Sequence, residues 1–307
     1  MAEAVVLDGL TRRFGSRTAL DGLTLSVPEG AVFGFLGPNG AGKTTTFAIL
    51  CGFLRPSAGR ARVLGEPIGR LHRVRDRIAA LPQGAAVWPN RSIRDSLRFL
   101  AELSGMESPE ARRRADELLE AFGLAQARDV AGRALSHGMA KRFALAQVFL
   151  APADLILLDE PTEGLDPRAA SEVRERVRAL SRRSTVIWSS HNLAEVEDLC
   201  DEAAILDRGR LVTQGTIAAL TTRDEKVLIT LGPGAPPAVE AVRAIPGVRE
   251  VERSADGSRV RITLQSDPDA PPEVRITAIL RALMDRGCTI GSVRPGRTLE
   301  ERFLELT

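Results

Sequence analysis

Apolar runs broken by Gly, Pro and Asp fill the first quarter of the chain. Residues 2 to 36 alternate short hydrophobic strands with turn signals at Asp8-Gly9, Asp21-Gly22 and Pro28-Glu29-Gly30, which predicts an antiparallel layer. Val32-Phe33-Gly34-Phe35-Leu36 closes that region as a continuous apolar strand, and the run Phe47-Ala48-Ile49-Leu50 beyond it is helical. Residues 60 to 83 predict a strand, a short basic helix and a second strand, Ile78-Ala79-Ala80-Leu81, followed by Pro82-Gln83. From Ser92 the period becomes helical. Ser92 with Asp95 makes a capping box, Ile93, Leu97 and Leu100 share a face, and Ser108-Pro109 opens a second helix carrying Leu118, Leu119 and Phe122. A third begins within Leu135-Ser136-His137-Gly138-Met139-Ala140-Lys141-Arg142 and runs through Leu150, so residues from about 90 to 150 form a helical insert. The strand Leu155-Ile156-Leu157-Leu158 ends in Asp159-Glu160. A helix with Val173, Val177 and Leu180 follows, then the strand Thr185-Val186-Ile187-Trp188, which delivers Ser189-Ser190-His191.

Beyond Lys226 the pattern changes again. Strand (227–229), helix (239–245), strand (248–251), strand (259–264, strictly alternating), helix (274–284) and strand (289–293) give the order βαββαβ, that of a small ferredoxin-like domain. A closing helix is predicted from Thr298 with Glu301 as its capping box and Leu299, Phe303 and Leu306 on one face. The linker near Thr221-Thr222-Arg223 divides a first domain, 1–222, from a second, 223–307. A length of 307 residues accommodates two such units.

Charge narrows the function classes. The net charge is +2, from 42 basic and 40 acidic residues, so no global field recommends nucleic acid. There is no apolar run of about eighteen residues and no basic-then-apolar leader after Met1, so a place in the cytosol, or on a membrane through a partner, is expected. Cys51, Cys200 and Cys288 have no metal-ligand spacing and read as reduced core thiols. Arg112-Arg113-Arg114 reads as a solvated helix face or a partner contact.

The chemistry begins at Gly37-Pro38-Asn39-Gly40-Ala41-Gly42-Lys43-Thr44, which lies between a strand and a helix. Glycines there let successive backbone N–H groups turn inward, and the helix N-terminus adds positive potential, so polyphosphate is the expected ligand. Lys43 would reach the β- and γ-phosphates, Thr44 would place its hydroxyl on magnesium, and the amides of Gly40, Gly42 and Thr45 would complete the cradle. Composition supports this: the chain has only three lysines, Lys43, Lys141 and Lys226, and otherwise uses arginine. A compact ammonium fits between phosphates where a planar guanidinium does not.

Four other sites carry candidate chemistry, and three of them have a second reading. Phe14 is either a platform for an adenine ring or a packed core residue. Gln83 stands just past a strand, where a γ-phosphate sensor could sit. The Asp159-Glu160 pair, costly to bury without a cation or a proton to serve, would hold magnesium through Asp159 and take the proton of an attacking water through Glu160; the other reading is a helix cap before Pro161. His191 suits a hydrogen bond to the γ-phosphate or is a satisfied loop residue.

Taken in order, Phe14, the phosphate loop, Gln83, Leu135-Ser136-x-Gly138, Asp159-Glu160, Gly164-Leu165-Asp166 and His191 resemble the ATP-binding subunit of the ATP-binding-cassette (ABC) transporter family over residues 4 to 220. The resemblance implies an α/β fold: a P-loop core with a RecA-like mixed sheet, an antiparallel layer and a helical insert. It implies ATP and Mg2+, the latter near Thr44, Gln83 and Asp159, with nucleotide contacts from Phe14, Gly37, Asn39, Gly40, Gly42, Lys43, Thr44 and Thr45. It implies catalysis by Glu160, His191, Gln83 and Lys43. It also implies a head-to-tail dimer in which Ser136 and Gly138 of one subunit complete the ATP site of the other, the second subunit being this chain or a paralogue. His137 and Met139 depart from the LSGGQ pattern common at that loop. The tail, through Thr298-Leu299-Glu300-Glu301-Arg302-Phe303, resembles that of bacterial exporter-type members paired with a separate integral-membrane permease, which places the chain on the cytoplasmic face of the inner membrane. Trp88, in the stretch after Gln83, reads as a permease contact or as a ring packed on its own insert. Two further functions share the ATPase chemistry: a soluble ABC protein remodelling a ribosome or DNA, and an importer ATPase whose tail senses substrate.

Overall fold

The computed structural model describes residues 2–82, 87–180, 183–221, 225–233, 235–236, 239–254, 256–265 and 272–295. Its contacts divide the chain into two compact units, Met1–Gly215 and Thr216–Thr307.

The first unit opens with two long strands, β1 (Glu3–Phe14) and β2 (Arg17–Pro28), paired antiparallel. Asp8-Gly9 and Asp21-Gly22, expected as turns between shorter strands, lie inside these two. Gly9 and Gly22 take φ of 59° and 68°, and the pairing register shifts between Leu7 and Leu10. The glycines therefore make bulges. A bulge moves the alternation by one residue, which is why Leu7 and Leu10, three apart, both face the core.

β3 (Val32–Leu36) leads through the phosphate loop to α1 (Lys43–Leu50). β4 (Ala58–Val63) returns to pair with β1, and β5 (Glu66–Pro67) completes a sheet of order β2-β1-β4-β5. The expected basic helix is instead two short 3-10 turns, Ile68–Arg73 and Arg75–Arg77, the first interrupted at Arg70 with φ −125°. β6 (Ile78–Leu81) follows. Gln83 lies outside the described residues.

α2 (Ile93–Leu103) starts at Ser92, whose Oγ accepts the Asp95 N–H at 3.1 Å and donates to Asp95 Oδ2 at 2.8 Å. α3 (Ser108–Ala121) has Pro109 in its first turn, and α4 (His137–Val148) is capped by Ser136. The chain then alternates β7 (Leu155–Asp159), α5 (Pro167–Leu180), β8 (Thr185–Ser190), α6 (Leu193–Leu199), β9 (Glu202–Asp207) and β10 (Arg210–Thr216).

These strands make a six-stranded sheet of order β10-β9-β3-β8-β7-β6, parallel at every pairing from β9 to β6. Every residue of β3, β7 and β8 is buried, as expected for parallel strands covered on both faces. Leu7, Leu20 and Leu25 of the first sheet share one core with Phe47 of α1 and with Phe33, Phe35, Leu157 and Ile187 of the second. That core holds the phosphate loop from below. Cys200 is buried as expected, whereas Cys51, at the end of α1, is only half-buried.

In the second unit a short helix, α7 (Ile217–Thr221), precedes β11 (Glu225–Leu231), α8 (Val239–Arg243), β12 (Val248–Arg253), β13 (Arg259–Leu264), α9 (Pro272–Asp285) and β14 (Ile290–Pro295). The element order is the βαββαβ read from the sequence. All three pairings are antiparallel, in the order β12-β13-β11-β14. Val227, Ile229, Val260 and Ile262 pack against Val242, Ile279 and Leu283, so this unit has a core of its own, to which Cys288 belongs. The predicted closing helix after Thr298 lies outside the described residues.

Candidate functional site

Parallel pairing brings the chemistry together. Leu36 at the end of β3 is level with Ser190 at the end of β8, and Ser189 is level with Asp159 at the end of β7. The phosphate loop, the acidic pair and His191 therefore emerge at one edge, outside the carboxyl ends of adjacent strands, where open α/β sheets bind ligands.

Asn39, Gly40, Gly42, Lys43, Thr44, Thr45, Glu160 and His191 line one cavity of about 290 Å³. Arg17, Ala19, Pro38 and Glu163, which the sequence reading did not single out, line it too. Gly42 caps α1 at φ 106°, and a Cβ there would meet Leu20 Cδ2 at 2.6 Å and the Ala19 carbonyl at 3.0 Å. Gly37 lies beneath the loop, where a Cβ would come within 2.5 Å of the Leu206 carbonyl. Each close approach admits only glycine. The loop is closed by the Ala41 N–H on the Pro38 carbonyl at 3.1 Å, and Gly209 N–H braces it through the Ala41 carbonyl at 3.0 Å.

Lys43 is buried. Its Nζ donates to the Gly37 carbonyl at 2.6 Å and lies 3.4 Å from Glu160 Oε1, and the other Glu160 oxygen, Oε2, is 3.0 Å from His191 Nδ1. Glu160 itself is in the left-handed region at φ 47°, a conformation that costs a non-glycine residue about 1–3 kcal/mol. A local turn, the Glu163 N–H on the Glu160 carbonyl at 3.3 Å, and two contacts from other elements hold it there. Its N–H donates to Ser189 Oγ at 2.9 Å, and its carbonyl accepts from Lys141 Nζ at 2.7 Å. Burial draws the Lys141 ammonium below the usual lysine range, opposed by the charges of Glu163, Asp159 and Glu160.

Asp159 lies under the cavity, 1% exposed. Its Oδ1 accepts from Ser189 Oγ at 2.5 Å, while its Oδ2 is buried with no hydrogen-bond partner among the described residues. An orphaned anionic oxygen beneath a phosphate cradle fits a divalent cation. No three His, Cys, Asp or Glu side chains converge as a metal site among the described residues, so such a cation would draw most of its ligands from phosphate and water. Burial and the Asp159 charge push the Cys51 thiol up to about 11, so it stays protonated beside that carboxylate. Beyond Glu160, two backbone N–H groups, those of Ala169 and Arg168, hold Asp166 below its usual range at the start of α5.

Other predicted residues lie apart from this cavity. Phe14 is 44% exposed with the Arg12 guanidinium 4.5 Å over its ring, so it is a surface ring and no core residue. Ser136 and Gly138 form the N-terminus of α4, where the Ser136 Oγ accepts the Met139 N–H at 3.3 Å and space above Gly138 is open. The variant His137 packs against the loop after Glu160, since a Cβ on Gly164 would lie 2.7 Å from its Nε2. Ser189 and Lys141 were missed as site residues. A serine ending an apolar strand, and a lysine in an arginine-rich chain, were the signals available.

A family model described as ABC transporter matches residues 20–163. The chain is 38% identical over 310 residues to a daunorubicin resistance ATP-binding protein of Streptomyces coeruleorubidus, covering 99% of this chain and 96% of that one. The chain belongs to the ABC transporter ATP-binding family. It is also 40% identical over 220 residues to Nod factor export ATP-binding protein I of Ralstonia nicotianae, covering 71% of this chain and 68% of that one. A solved ATP-binding subunit of an ABC transporter superposes with a TM-score of 0.65 at 27% identity, covering 71% of this chain and 91% of that one. The first alignment includes the second unit. As a member of the ABC family the chain binds and hydrolyses ATP, and in the cavity above the α1 N-terminus its phosphate-loop residues meet Glu160 of the acidic pair.

Gly42→Ala tests the loop directly. Its φ of 106° and the 2.6 Å approach to Leu20 are expected to weaken ATP binding roughly tenfold or more, the scale of a residue forced into a sparsely populated backbone region. Titration with a fluorescent ATP analogue measures it, and an unchanged affinity would count against the loop as the phosphate site.

Proposed function

We propose that this chain is the energising subunit of an exporter, binding Mg-ATP at a head-to-tail dimer interface and hydrolysing it to drive a separate permease. The observation that carries the proposal is the cavity in which Lys43, Glu160 and His191 converge while the helix start bearing Ser136 and Gly138 stands apart from it. One subunit thus offers a phosphate cradle with a base, and separately an open helix N-terminus suited to a second subunit's γ-phosphate.

In this reading Lys43 moves onto the β- and γ-phosphates, Thr44 and Asp159 would hold the magnesium ion with Gln83, and the Phe14 ring carries the adenine. When bound, the metal would supply charge neutralisation of the phosphate oxygens. Glu160 then accepts the proton of a water that attacks the γ-phosphorus as the bond to the ADP oxygen breaks, and His191 orients the same phosphate. Residues 1–222 form the ATPase domain and 223–307 an accessory domain that regulates it or steadies the dimer.

Export is supported by the relatives, one named for Nod factor export and another for drug resistance, the latter similar along nearly the whole chain. No helix among the described residues is long and apolar enough to cross a membrane, so attachment to the cytoplasmic face of the inner membrane would come through the permease. Trp88 is the contact we favour. It packs edge-on to Phe99 at 5.5 Å with Arg91 beside both rings, yet remains 42% exposed.

Glu160→Gln is expected to lower steady ATP turnover by at least about 10², the lower end of the range for a general base, and to trap an ATP-bound dimer visible by sedimentation. Turnover at the original rate would remove Glu160 from its role. For the partner, purification of the tagged chain from native membranes in mild detergent is expected to recover a multispan protein in about equal amount. Recovery from the soluble fraction with ribosomal or DNA-associated proteins would overturn the transport reading and leave the ATPase intact.

A further inference from the structure

Lys141 is one of only three lysines in the chain and lies in α4, on the helix turn after Ser136 and Gly138. Its ammonium crosses to the end of β7 and donates to the Glu160 carbonyl at 2.7 Å. On the other side of that residue the Glu160 N–H donates to Ser189 Oγ at 2.9 Å. Both main-chain polar groups of Glu160 are therefore engaged from other elements, the N–H by β8 and the carbonyl by α4, and the carbonyl also accepts the Glu163 N–H at 3.3 Å in a local turn. Between those two pins the residue adopts φ 47°, one of three non-glycine positive values among the described residues. A strained conformation persists where its surroundings over-determine it. Here these two hydrogen bonds do so together with the turn bond from Glu163, and they set the direction in which the carboxylate leaves the backbone, toward Lys43 and His191.

We propose that Lys141 is a positioning residue for ATP hydrolysis. It fixes the Glu160 peptide in the left-handed conformation that aims the carboxylate into the cavity, and it ties that conformation to α4. The inference rests on the reading of Glu160 as the base. Its consequence is a mechanical link within one subunit: the helix whose first turn would meet the partner's nucleotide also holds the base for the subunit's own. A compact ammonium suits the place because it reaches a single carbonyl on a thin stem while the carboxylates of Glu163, Asp159 and Glu160 surround it with negative charge.

The alternative is that Lys141 merely staples a helix to a loop, and kinetics separate the two. Lys141→Met keeps the stem and removes the donor, Lys141→Gln is measured beside it, and Lys141→Arg restores a charged donor. For the full-length chain, ATP affinity and melting temperature are expected to stay as in the parent while kcat in Lys141→Met falls between about ten- and a hundredfold, the loss that a misplacement on the order of 1 Å causes. Lys141→Arg is expected to recover most of the loss. A kcat within about twofold of the parent would overturn the role, as would a loss of kcat matched by loss of ATP affinity or thermal stability. Failure of both neutral variants to fold would make Lys141 a staple and overturn it equally. Glu160→Gln, assayed alongside, separates the two levels: if it is inactive while Lys141→Met is normal, only the Lys141 role falls, and if it remains active, the base and its positioning residue fall together.

Discussion

Lys43 and Glu160 place opposite charges 3.4 Å apart where each side chain is less than a tenth exposed. Burying two charges costs several kcal/mol per ion, and their attraction offsets this only where the remaining donors and acceptors are satisfied. Here they are largely satisfied. The ammonium also reaches the Gly37 carbonyl, and the carboxylate's second oxygen meets His191. The pair makes sense as the resting half of a site built for a polyanion: the ammonium is held in place by the carbonyl and carboxylate until the several charged oxygens of a polyphosphate compete for it. The glycines of the loop, the left-handed Glu160 and the orphaned Asp159 oxygen all lie within this arrangement.

What positions the pair is the parallel sheet. β3, β8 and β7 are neighbours, so three segments far apart in sequence end level with one another. Ser189 joins two of them, accepting from the Glu160 N–H and donating to Asp159. Because the strands are buried on both faces, their polar residues, apart from Thr185 at the start of β8, stand at the carboxyl ends, where the next residues can reach a ligand. The rigid part of the site is thus a sheet edge, and the α4 side chain of Lys141 is what connects it to the helical insert.

The legible parts of the molecule were those governed by local physics. The phosphate loop was readable because its glycines and lone lysine follow an apolar strand, and the acidic pair because ionisable residues end a run that must be buried. The tail's element order followed from alternation and helical period. The misreadings have a common cause in long-range pairing. Asp8-Gly9 and Asp21-Gly22 look like turns, yet each strand continues past them because β1 and β2 pair along their whole length and absorb the glycines as bulges. Arg17 and Glu163 reach the cavity only through the fold, and among so many charged residues neither is distinctive in sequence. The positive φ of Glu160 has no sequence signature, since Ser189 and Lys141 from two other elements act on its peptide groups beside the local turn to Glu163.

The most direct measurement is a structure of the full chain with magnesium and a hydrolysis-resistant ATP analogue. The account predicts phosphates in the cavity, Lys43 Nζ turned from Glu160 onto the β- and γ-oxygens, the metal facing Asp159 Oδ2, and Glu160 still in its left-handed conformation beside the γ-phosphate. Nucleotide bound elsewhere, or bound with Lys43 still paired to Glu160, would contradict it.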